Sequence, residues 1–438
     1  MYIKVEIIKE NYGIKMNINT LKTSASLIAL SLILTTQNVS SQELPSSEEM
    51  WKLIQQQQAQ ITALEKMMGI TQQTAIENKE KVEVTEKMIE ATVTAIEEGS
   101  MASAGPSTNG TSLGGYAEMH FNGGETDQID FHRFVMFMGH EFTDKIRFFS
   151  ELEVEHSLSG NGKPGEVELE QAFVEFDIAE NTYASVGLQL VPVGIINETH
   201  EPPTFYGVER NNVEKNIIPA TWWEAGVKFS GKLDDSVRYD AMVHSGLKTP
   251  ITGQSGAFNI RSGRQKVAKA SWKNTAYTGR LSWMAAPGVT FGASFQYQSD
   301  LTQTSAEPTS ATLIEAHADI QHQLSTNSQL GLRALYAQWN LDSTEAELLG
   351  KDIQKGWYIE PSYKYNIDSE QSIGIFARYS MWDNTAGSAI DTANKQTSFG
   401  LNYWPHENVV LKADYQIDNY ANITKEDNRV NLGLGLQF

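Results

Sequence analysis

The last eleven residues, NRVNLGLGLQF (428–438), alternate apolar side chains with small or polar ones. Val430, Leu432, Leu434, Leu436 and Phe438 share one face of an extended strand, because successive side chains of a strand point to opposite sides. A strand with one apolar face up to its terminal aromatic residue needs a partner along its free edge. We therefore expect it to pair with the first strand and close a barrel.

The same period of two recurs from Leu113 to Phe438. It is visible in SVRYDAMVHSG (236–246), VTFGASFQYQ (289–298), SIGIFARYS (372–380) and NVVLKADYQI (408–417). Such alternation is typical of half-buried antiparallel strands. We predict sixteen strands, which start near residues 113, 129, 145, 166, 182, 222, 236, 276, 289, 311, 328, 353, 371, 395, 408 and 428.

The predicted connections alternate in length, with short turns such as 143–144 and 286–288 and long loops such as 191–221 and 247–275. Outer-membrane barrels have short turns at the periplasmic end and long loops at the extracellular end. Most Trp residues after position 112 fall near strand ends, as expected for aromatic girdles at the membrane interfaces. We predict an all-β fold, a 16-stranded antiparallel transmembrane β-barrel preceded by an N-terminal α-helical coiled coil. A soluble β-sandwich or propeller is the alternative.

Three segments precede the predicted barrel domain, which covers residues 113–438. Residues 1–41 are interpreted as an N-terminal extension and a signal peptide, because Lys22 precedes an apolar stretch from Ala25 to Leu34. In residues 42–99, Ile54, Ile61 and Met68 recur every seven residues, which predicts an oligomerising coiled coil. A solvated amphipathic helix or a flexible spacer is the alternative. Residues 100–112 are rich in Gly and Ser and are predicted to be a flexible linker.

In a membrane barrel the apolar face meets lipid and the polar face meets the lumen. This parity assigns Arg280, Arg333 and Arg378, which lie near the middle of their strands, to the lumen. The planar guanidinium of Arg binds two oxygens of a carboxylate or a phosphate at once. An ordinary salt bridge inside the lumen is the alternative for each of these residues.

The long segment 191–221 contains Ile195, Ile196, Ile217 and Ile218, and these apolar side chains need a surface to pack against. A loop folded into the lumen would find that surface there and would narrow the channel. An extracellular loop that packs on its neighbours or on another subunit is the alternative.

Composition and motifs exclude several function classes. The net charge of −20 argues against nucleic acid as a partner, and the absence of Cys excludes a disulfide framework. The nine His residues are scattered, and none forms HExxH or another metal-binding spacing. GxSxG and P-loop motifs are absent as well. We therefore expect neither enzymatic activity nor a cofactor or metal.

Three stretches carry a resemblance to a known family. They are HRFVMFMGHEFTDKIRFFSELEVEH (132–156), YASVGLQLVPVGIINETHEPPTFYGVERNNVEKNIIPATWWEAGVKFSG (183–231) and the terminal NLGLGLQF (431–438). Together with the segment order, they resemble DcaP-like outer-membrane porins, which are relatives of the phosphate-selective porins.

The resemblance implies a homotrimer in the outer membrane of a Gram-negative bacterium, embedded in lipid, with its coiled coil in the periplasm. It implies passive diffusion of small anionic solutes such as dicarboxylates through a basic pore. The residues that fit such a pore are Arg147, Arg210, Lys228, Arg238, Arg280, Arg333 and Arg378. Phe438 resembles the signal read by the barrel-assembly machinery. The alternatives are a general non-selective porin, a structural or adhesive barrel with an occluded lumen, and a soluble sugar-binding β protein.

Overall fold

The structure, a computed structural model, describes Trp51, Gln55, Gln58, Thr62 and residues 110–438 except 125–126, 252–255, 305–307 and 422–427. The four N-terminal residues are helical, and the hydroxyl of Thr62 donates a hydrogen bond to the carbonyl oxygen of Gln58 (3.0 Å). The predicted signal peptide and most of the predicted coiled coil and linker lie outside the described residues. No helix in the described part of the chain is long and apolar enough to cross a bilayer.

Sixteen antiparallel strands of the described chain form one closed barrel, in which each strand pairs with the next and β1 pairs with β16. They are β1 (Thr111–Gly123), β2 (Gln128–Thr143), β3 (Ile146–Glu155), β4 (Val167–Ala179), β5 (Thr182–Leu190), β6 (Trp223–Lys232), β7 (Val237–His244), β8 (Ala276–Ala286), β9 (Val289–Gln298), β10 (Ser310–Ser325), β11 (Ser328–Asp342), β12 (Ile353–Asn366), β13 (Ser372–Asp383), β14 (Asn394–His406), β15 (Val409–Asn419) and β16 (Arg429–Gln437). Each predicted start lies within two residues of the observed one, which confirms the predicted 16-stranded barrel.

The closing seam lies between the start of β1 and the end of β16. The backbone amides of Gly115 and Phe438 each donate a hydrogen bond to the other residue's carbonyl oxygen, both at 2.9 Å. In β16, Leu432 is 48% exposed on the outer surface whereas Asn431 is fully buried on the inner side. The terminal strand therefore presents its apolar face outward and completes the ring, as predicted.

The connections differ at the two ends of the barrel. Turns after the even-numbered strands are short, and this end is called the turn end below. Connections after most of the odd-numbered strands are longer and form the loop end. Two of these are central here: L3, residues 191–222, and L4, residues 245–275. Short helices interrupt the loops: α1 (Asn212–Asn216) in L3, α2 (Thr344–Leu348) after β11, and 3-10 turns at Pro202–Thr204 and Arg261–Gly263.

L3 folds into the barrel lumen rather than outward, so the structure decides between the two predicted alternatives. Its residues Ile195, Ile196, Ile217 and Ile218 are at most 8% exposed. Ile195, Ile217 and Ile218 belong to an inner apolar cluster that includes Trp339 on the wall of β11. Burial of these side chains stabilises L3 inside the lumen, because each removes apolar surface from water.

The predicted aromatic girdle is largely wrong for Trp. Of the eight Trp residues after position 112, seven lie near strand ends, and five of these are at most 6% exposed: Trp222, Trp223, Trp339, Trp382 and Trp404. Trp339 donates its indole N–H to the carbonyl oxygen of Ile217 (2.9 Å), and Trp404 donates to that of Pro203 (3.3 Å). These indoles face inward because L3 supplies both apolar contacts and hydrogen-bond acceptors there. Trp283, at 52% exposure, does lie on the outer surface.

Candidate functional site

The wall formed by β13 to β16 holds the middle of L3. The ammonium of Lys412 donates to the carbonyl oxygen of Gly207 (2.8 Å), and the carboxylate of Asp414 accepts from the backbone N–H of Val208 (2.6 Å). The guanidinium of Arg378 contacts the carbonyl oxygen of Tyr206 (3.4 Å) in the same stretch. L3 begins after β5 and reaches this opposite wall, so it crosses the lumen and narrows it.

Glu214 in α1 organises the two ends of L3. One carboxylate oxygen accepts hydrogen bonds from the backbone N–H groups of Ile195 (2.8 Å) and Ile196 (2.6 Å). The other accepts from the hydroxyl of Tyr358 on β12 (2.7 Å). Burial raises the pKa of Glu214 above its ordinary value, although these three hydrogen bonds favour the ionised form.

Replacing Glu214 with Ala is expected to lower the free energy of unfolding by about 3 kcal/mol, because it leaves buried donors without an acceptor. The matched variant Tyr358→Phe removes only the donor of one bond and is expected to cost about 1 kcal/mol. Thermal unfolding of the detergent-solubilised protein, followed by circular dichroism, measures both effects. Equal losses for the two variants would contradict the assigned role of Glu214.

A cavity of about 130 Å³ remains where L3 and L4 approach β1 to β4, and we call it the upper cavity. It lies toward the loop end, since its wall residues include those near the end of β3 and the start of β4. Its acidic lining residues are Glu118, Glu155, Glu168, Glu170, Glu209 and Glu214. Its basic lining residues are His120, His132, Arg133, Arg210, Lys215, Arg261, Arg264 and Lys266.

Two β-bulges concentrate charged residues on this part of the wall. Glu118 of β1 pairs with Arg133 of β2, whereas His120 of β1 pairs with Asp130 of β2. Two steps along β1 thus match three along β2, so β2 carries one extra residue. In β4, Leu169 and Gln171 pair with the adjacent residues Leu152 and Glu151 of β3. Glu170, which lies between them, is therefore an extra residue without a pairing partner. A bulge turns consecutive side chains toward the same face of a sheet. The wall therefore carries more inward charge here than regular strands would allow.

Most acids of the upper cavity already have partners. Glu118 pairs with Arg133 (2.7 Å) and with His120 (3.2 Å). Glu209 of L3 accepts from Asn122 (2.9 Å) and contacts the other nitrogen of His120 (3.2 Å). Burial opposes ionisation of Glu209, but these two partners outweigh it and hold its pKa well below the usual range.

Acidic partners also neutralise Lys266, which ends the basic run of L4. Its ammonium pairs with Glu166 (2.8 Å) and with Glu168. Burial disfavours the charged form of Lys266, but the two carboxylates raise its pKa above the ordinary value. Among the lining acids, Glu155 is the one for which the described residues provide no side-chain partner.

Four basic residues of the upper cavity differ from Arg133 and Lys266, because they form no ion pair within 4.0 Å with an acid of the described residues. These four are Arg210, Lys215, Arg261 and Arg264. Arg261 instead donates to the carbonyl oxygens of Lys215 (3.0 Å) and Ala220 (2.8 Å). Arg264 donates to the carbonyl oxygen of Thr221 and lies over the ring of Trp223 (5.9 Å). Backbone carbonyls thus position these side chains but leave their charges unneutralised.

The crowding of these bases is visible in their proton affinities. Burial, followed by the charges of Arg264 and Arg210, lowers the pKa of Arg261 to about 9. Burial and the charge of Arg261 likewise lower the pKa of Lys215. Burial and the mutual repulsion of the bases cause both shifts, and a bound anion would relieve the repulsion.

A second cavity of about 410 Å³, the lower cavity, lies nearer the turn end between L3 and β10 to β14. Two predicted pore residues line the two cavities: Arg210 the upper one and Arg333 the lower one. Arg333 is paired with Asp319 (3.0 Å). Lys364, also in the lower lining, lies over the ring of Trp404 (4.4 Å).

Three other predicted pore residues are held in ion pairs outside the two cavities. Arg147 pairs with Glu175 (2.8 Å) and with Asp177 near the turn end. Arg280 pairs with Asp240 (2.7 Å) and also with Glu198 of L3.

Arg378 is the third, and it pairs with Glu360 (3.3 Å) beneath L3. The last two predicted residues, Lys228 and Arg238, are half-buried on β6 and β7 and form no ion pair with a described acid. The structure thus brings only Arg210 into the basic cluster.

Strand parity did not reveal the other three members of the cluster, because they lie in loops. Lys215 is in L3, and Arg261 and Arg264 are in L4. The available signal was the dense run RSGRQK (261–266), which places three bases within six residues of a long loop.

Comparisons with known proteins agree with this architecture. A family model described as phosphate-selective porin O and P matches residues 111–438. An uncharacterized protein of Aquifex aeolicus (strain VF5) is 30% identical over 350 residues, which are 73% of this chain and 78% of that protein.

Two solved structures are similar to this chain. The anion-selective porin from Comamonas acidovorans has a TM-score of 0.51 at 10% identity and covers 75% of this chain and 99% of its own. The outer membrane channel DcaP of Acinetobacter baumannii has a TM-score of 0.48 at 13% identity, and the match covers 77% of this chain and 100% of the DcaP chain. The similarity to the Comamonas porin shows the fold.

The family model and the barrel together confirm the resemblance found in the sequence. Fold and family are those of an outer-membrane channel. Because the family model covers the whole barrel from its first strand onward, the chain belongs to the phosphate-selective porin O and P family.

Proposed function

We propose that this protein is an anion-preferring porin through which small hydrophilic solutes, dicarboxylates in particular, diffuse passively. The observation that carries the proposal is the cluster formed by Arg210, Lys215, Arg261 and Arg264, whose charges face acids that are mostly paired already. Selectivity follows the charge at the constriction and not the net charge of the chain. The acidic total of −20 is therefore compatible with anion preference.

The chemistry of the cluster suits carboxylates. A guanidinium offers parallel N–H donors that match the two oxygens of a carboxylate. In this proposal, a dicarboxylate enters at the extracellular loop end and meets Arg261 and Arg264 on L4 while Arg210 on L3 is within the same cavity. It then reaches the lower cavity, where Arg333 and Lys364 line the route to the periplasmic turn end.

The proposal extends to the assembly. We place the coiled coil of residues 42–99 in the periplasm of a Gram-negative bacterium and assign the barrel to a homotrimer. Phe438 is proposed to be the residue that the barrel-assembly machinery recognises. The heptad spacing of Ile54, Ile61 and Met68 supports association, since a single helix of this length is marginal in water.

Solute influx into liposomes tests the proposed substrate class. Proteoliposomes are mixed with a four-carbon dicarboxylate, a neutral four-carbon polyol or a four-carbon diamine at equal osmolarity. We expect the dicarboxylate to enter fastest and the diamine slowest, because the cluster attracts the first and repels the second. Equal rates for all three would favour the general non-selective porin, and no influx of any would favour the occluded barrel.

A further inference from the structure

Three fully buried side chains converge where L3 meets the wall of β3 and β4. They are His200 of L3, Glu151 of β3 and Glu170 of β4, with exposures of 2%, 1% and 0%. The Nε2 atom of His200 lies 3.2 Å from Oε1 of Glu151 and 3.7 Å from Oε2 of Glu170. The three potential ligand atoms all lie within 4.8 Å of one another.

The hydrogen bond on the far side of the imidazole fixes its orientation. Nδ1 of His200 lies 3.1 Å from the carbonyl oxygen of Asn197. A carbonyl oxygen only accepts hydrogen bonds, so Nδ1 must carry the proton. In the neutral ring, Nε2 then presents a lone pair toward two carboxylates. Three electron-rich atoms that face one another in a buried site repel one another unless a cation or a proton lies between them.

The ligand spacing matches a small divalent cation. Tetrahedral zinc sites have metal–ligand bonds of about 2.1 Å, so two ligand atoms lie about 3.4 Å apart. The distances from His200 Nε2 bracket this value. Two carboxylates and one neutral imidazole also balance a charge of +2. Imidazole with carboxylates suits first-row ions such as Zn²⁺ or Co²⁺ better than Ca²⁺, which prefers six to eight oxygens.

Each ligand is also oriented from behind. Gln171 donates to the other oxygen of Glu151 (2.7 Å), and the hydroxyl of Thr221 donates to the other oxygen of Glu170 (2.8 Å). The carbonyl oxygen of Asn197 accepts a hydrogen bond from Nδ1 of His200. Outer-shell hydrogen bonds of this kind hold the ligands of metal sites in place.

Two buried polar atoms at the same point have no hydrogen-bond partner among the described residues, which is an independent indication of a binding site. Oε2 of Glu170 is buried and has no hydrogen-bond partner among the described residues. The hydroxyl of Tyr116 is likewise buried without a partner, and its ring lies edge-on to His200 at 5.8 Å. Buried polar atoms are almost always satisfied by protein, water or an ion. The upper cavity, which Glu170 lines, provides access.

We propose that His200, Glu151 and Glu170 bind one divalent transition-metal ion that fastens L3 to the barrel wall. The ligands come from both partners, so the ion joins the constriction loop to β3 and β4. The proposed ligands include none of the four bases of the cluster, although Arg210 donates to the carbonyl oxygen of His200 (3.3 Å), and the proposed metal binding does not depend on anion preference. It also revises the expectation from the sequence, where scattered His residues gave no metal-binding spacing.

Titration of the full-length protein tests the site. Protein stripped with a chelator is titrated with Co²⁺, and its visible ligand-field absorption is recorded before Zn²⁺ is added. We expect one Co²⁺ per chain with the strong absorption of a low-coordinate site, and displacement by one Zn²⁺. The thermal midpoint should rise with Zn²⁺. These readouts do not use channel activity, so failure of the anion proposal would leave them unchanged.

Variants separate this site from other His residues. His200→Gln and Glu170→Gln should abolish stoichiometric binding, and Gln171→Ala should weaken it by about 10- to 100-fold. His156→Gln is the matched control, because His156 and Asp130 form another nearby His–carboxylate group (2.8 Å), and it should bind like the wild type. Absence of the Co²⁺ absorption in the wild type would overturn the proposal and assign a shared proton to the site. Binding lost only in His156→Gln would overturn it as well.

Discussion

Neutralising Lys215, Arg261 and Arg264 together with Gln is expected to remove the anion preference of the channel. The three bases form no ion pair within 4.0 Å with an acid of the described residues, so their charges act on the solute. A unit charge about 4 Å from an ion contributes about 4 kcal/mol at an effective dielectric constant of 20. Loss of about 1.4 kcal/mol of this interaction energy is enough to lower the ratio of anion to cation permeability tenfold. Gln retains N–H donors for the carbonyls of Ala220 and Thr221, so L3 and L4 keep their contacts.

The measurement is the reversal potential of the variant in planar bilayers under a salt gradient. Lys215→Arg is the matched control, because it changes a side chain of the same cluster and keeps its positive charge. This control should keep the wild-type reversal potential. A triple variant as anion-preferring as the wild type would show that selectivity arises elsewhere in the lumen.

Deleting Phe438 is expected to reduce the yield of folded barrel several-fold while leaving the conductance of the surviving channels unchanged. The residue forms both backbone hydrogen bonds with Gly115 at the closing seam, and its ring lies 6.4 Å from that of Phe134. Loss of this pair leaves an open edge at the end of β16, and unpaired backbone groups are costly in a membrane. The lumen is lined by other residues, so permeation should not change.

Heat-dependent migration in gels measures the folded fraction, and single-channel recording measures the conductance. The matched variant Phe438→Tyr keeps an aromatic ring and both backbone hydrogen bonds, so it should assemble like the wild type. Equal yields of the deletion variant and the wild type would contradict the role assigned to this residue.

The strands were predictable from the sequence because burial on one face imposes a period of two. Parity fails where a bulge interrupts that period. Glu170 and Glu175 both lie on the inner face of β4 although they are five residues apart, because the bulge at Glu170 shifts the register. A regular strand would place such residues on opposite faces, and no local signal marked the irregularity.

The loops limited the prediction of the site in another way. Alternation carries no information about the direction of a loop side chain, so Arg261 and Arg264 were not assigned to the pore. The inward Trp residues have the same cause: strand-end position predicts an interfacial ring, but L3 buries Trp339 and Trp404 inside the barrel. Both results depend on long-range packing of L3 and L4. The sequence predicted the inward fold of L3 only as one of two alternatives, and it made no prediction for the direction of L4.

The reversal potential of the wild-type channel in a salt gradient tests anion preference most directly. Purified full-length protein is inserted into a planar bilayer with concentrated KCl on one side and dilute KCl on the other. The basic cluster predicts a reversal potential near the equilibrium potential of chloride. A reversal potential on the potassium side would contradict anion preference, and the absence of any conductance would contradict the channel itself.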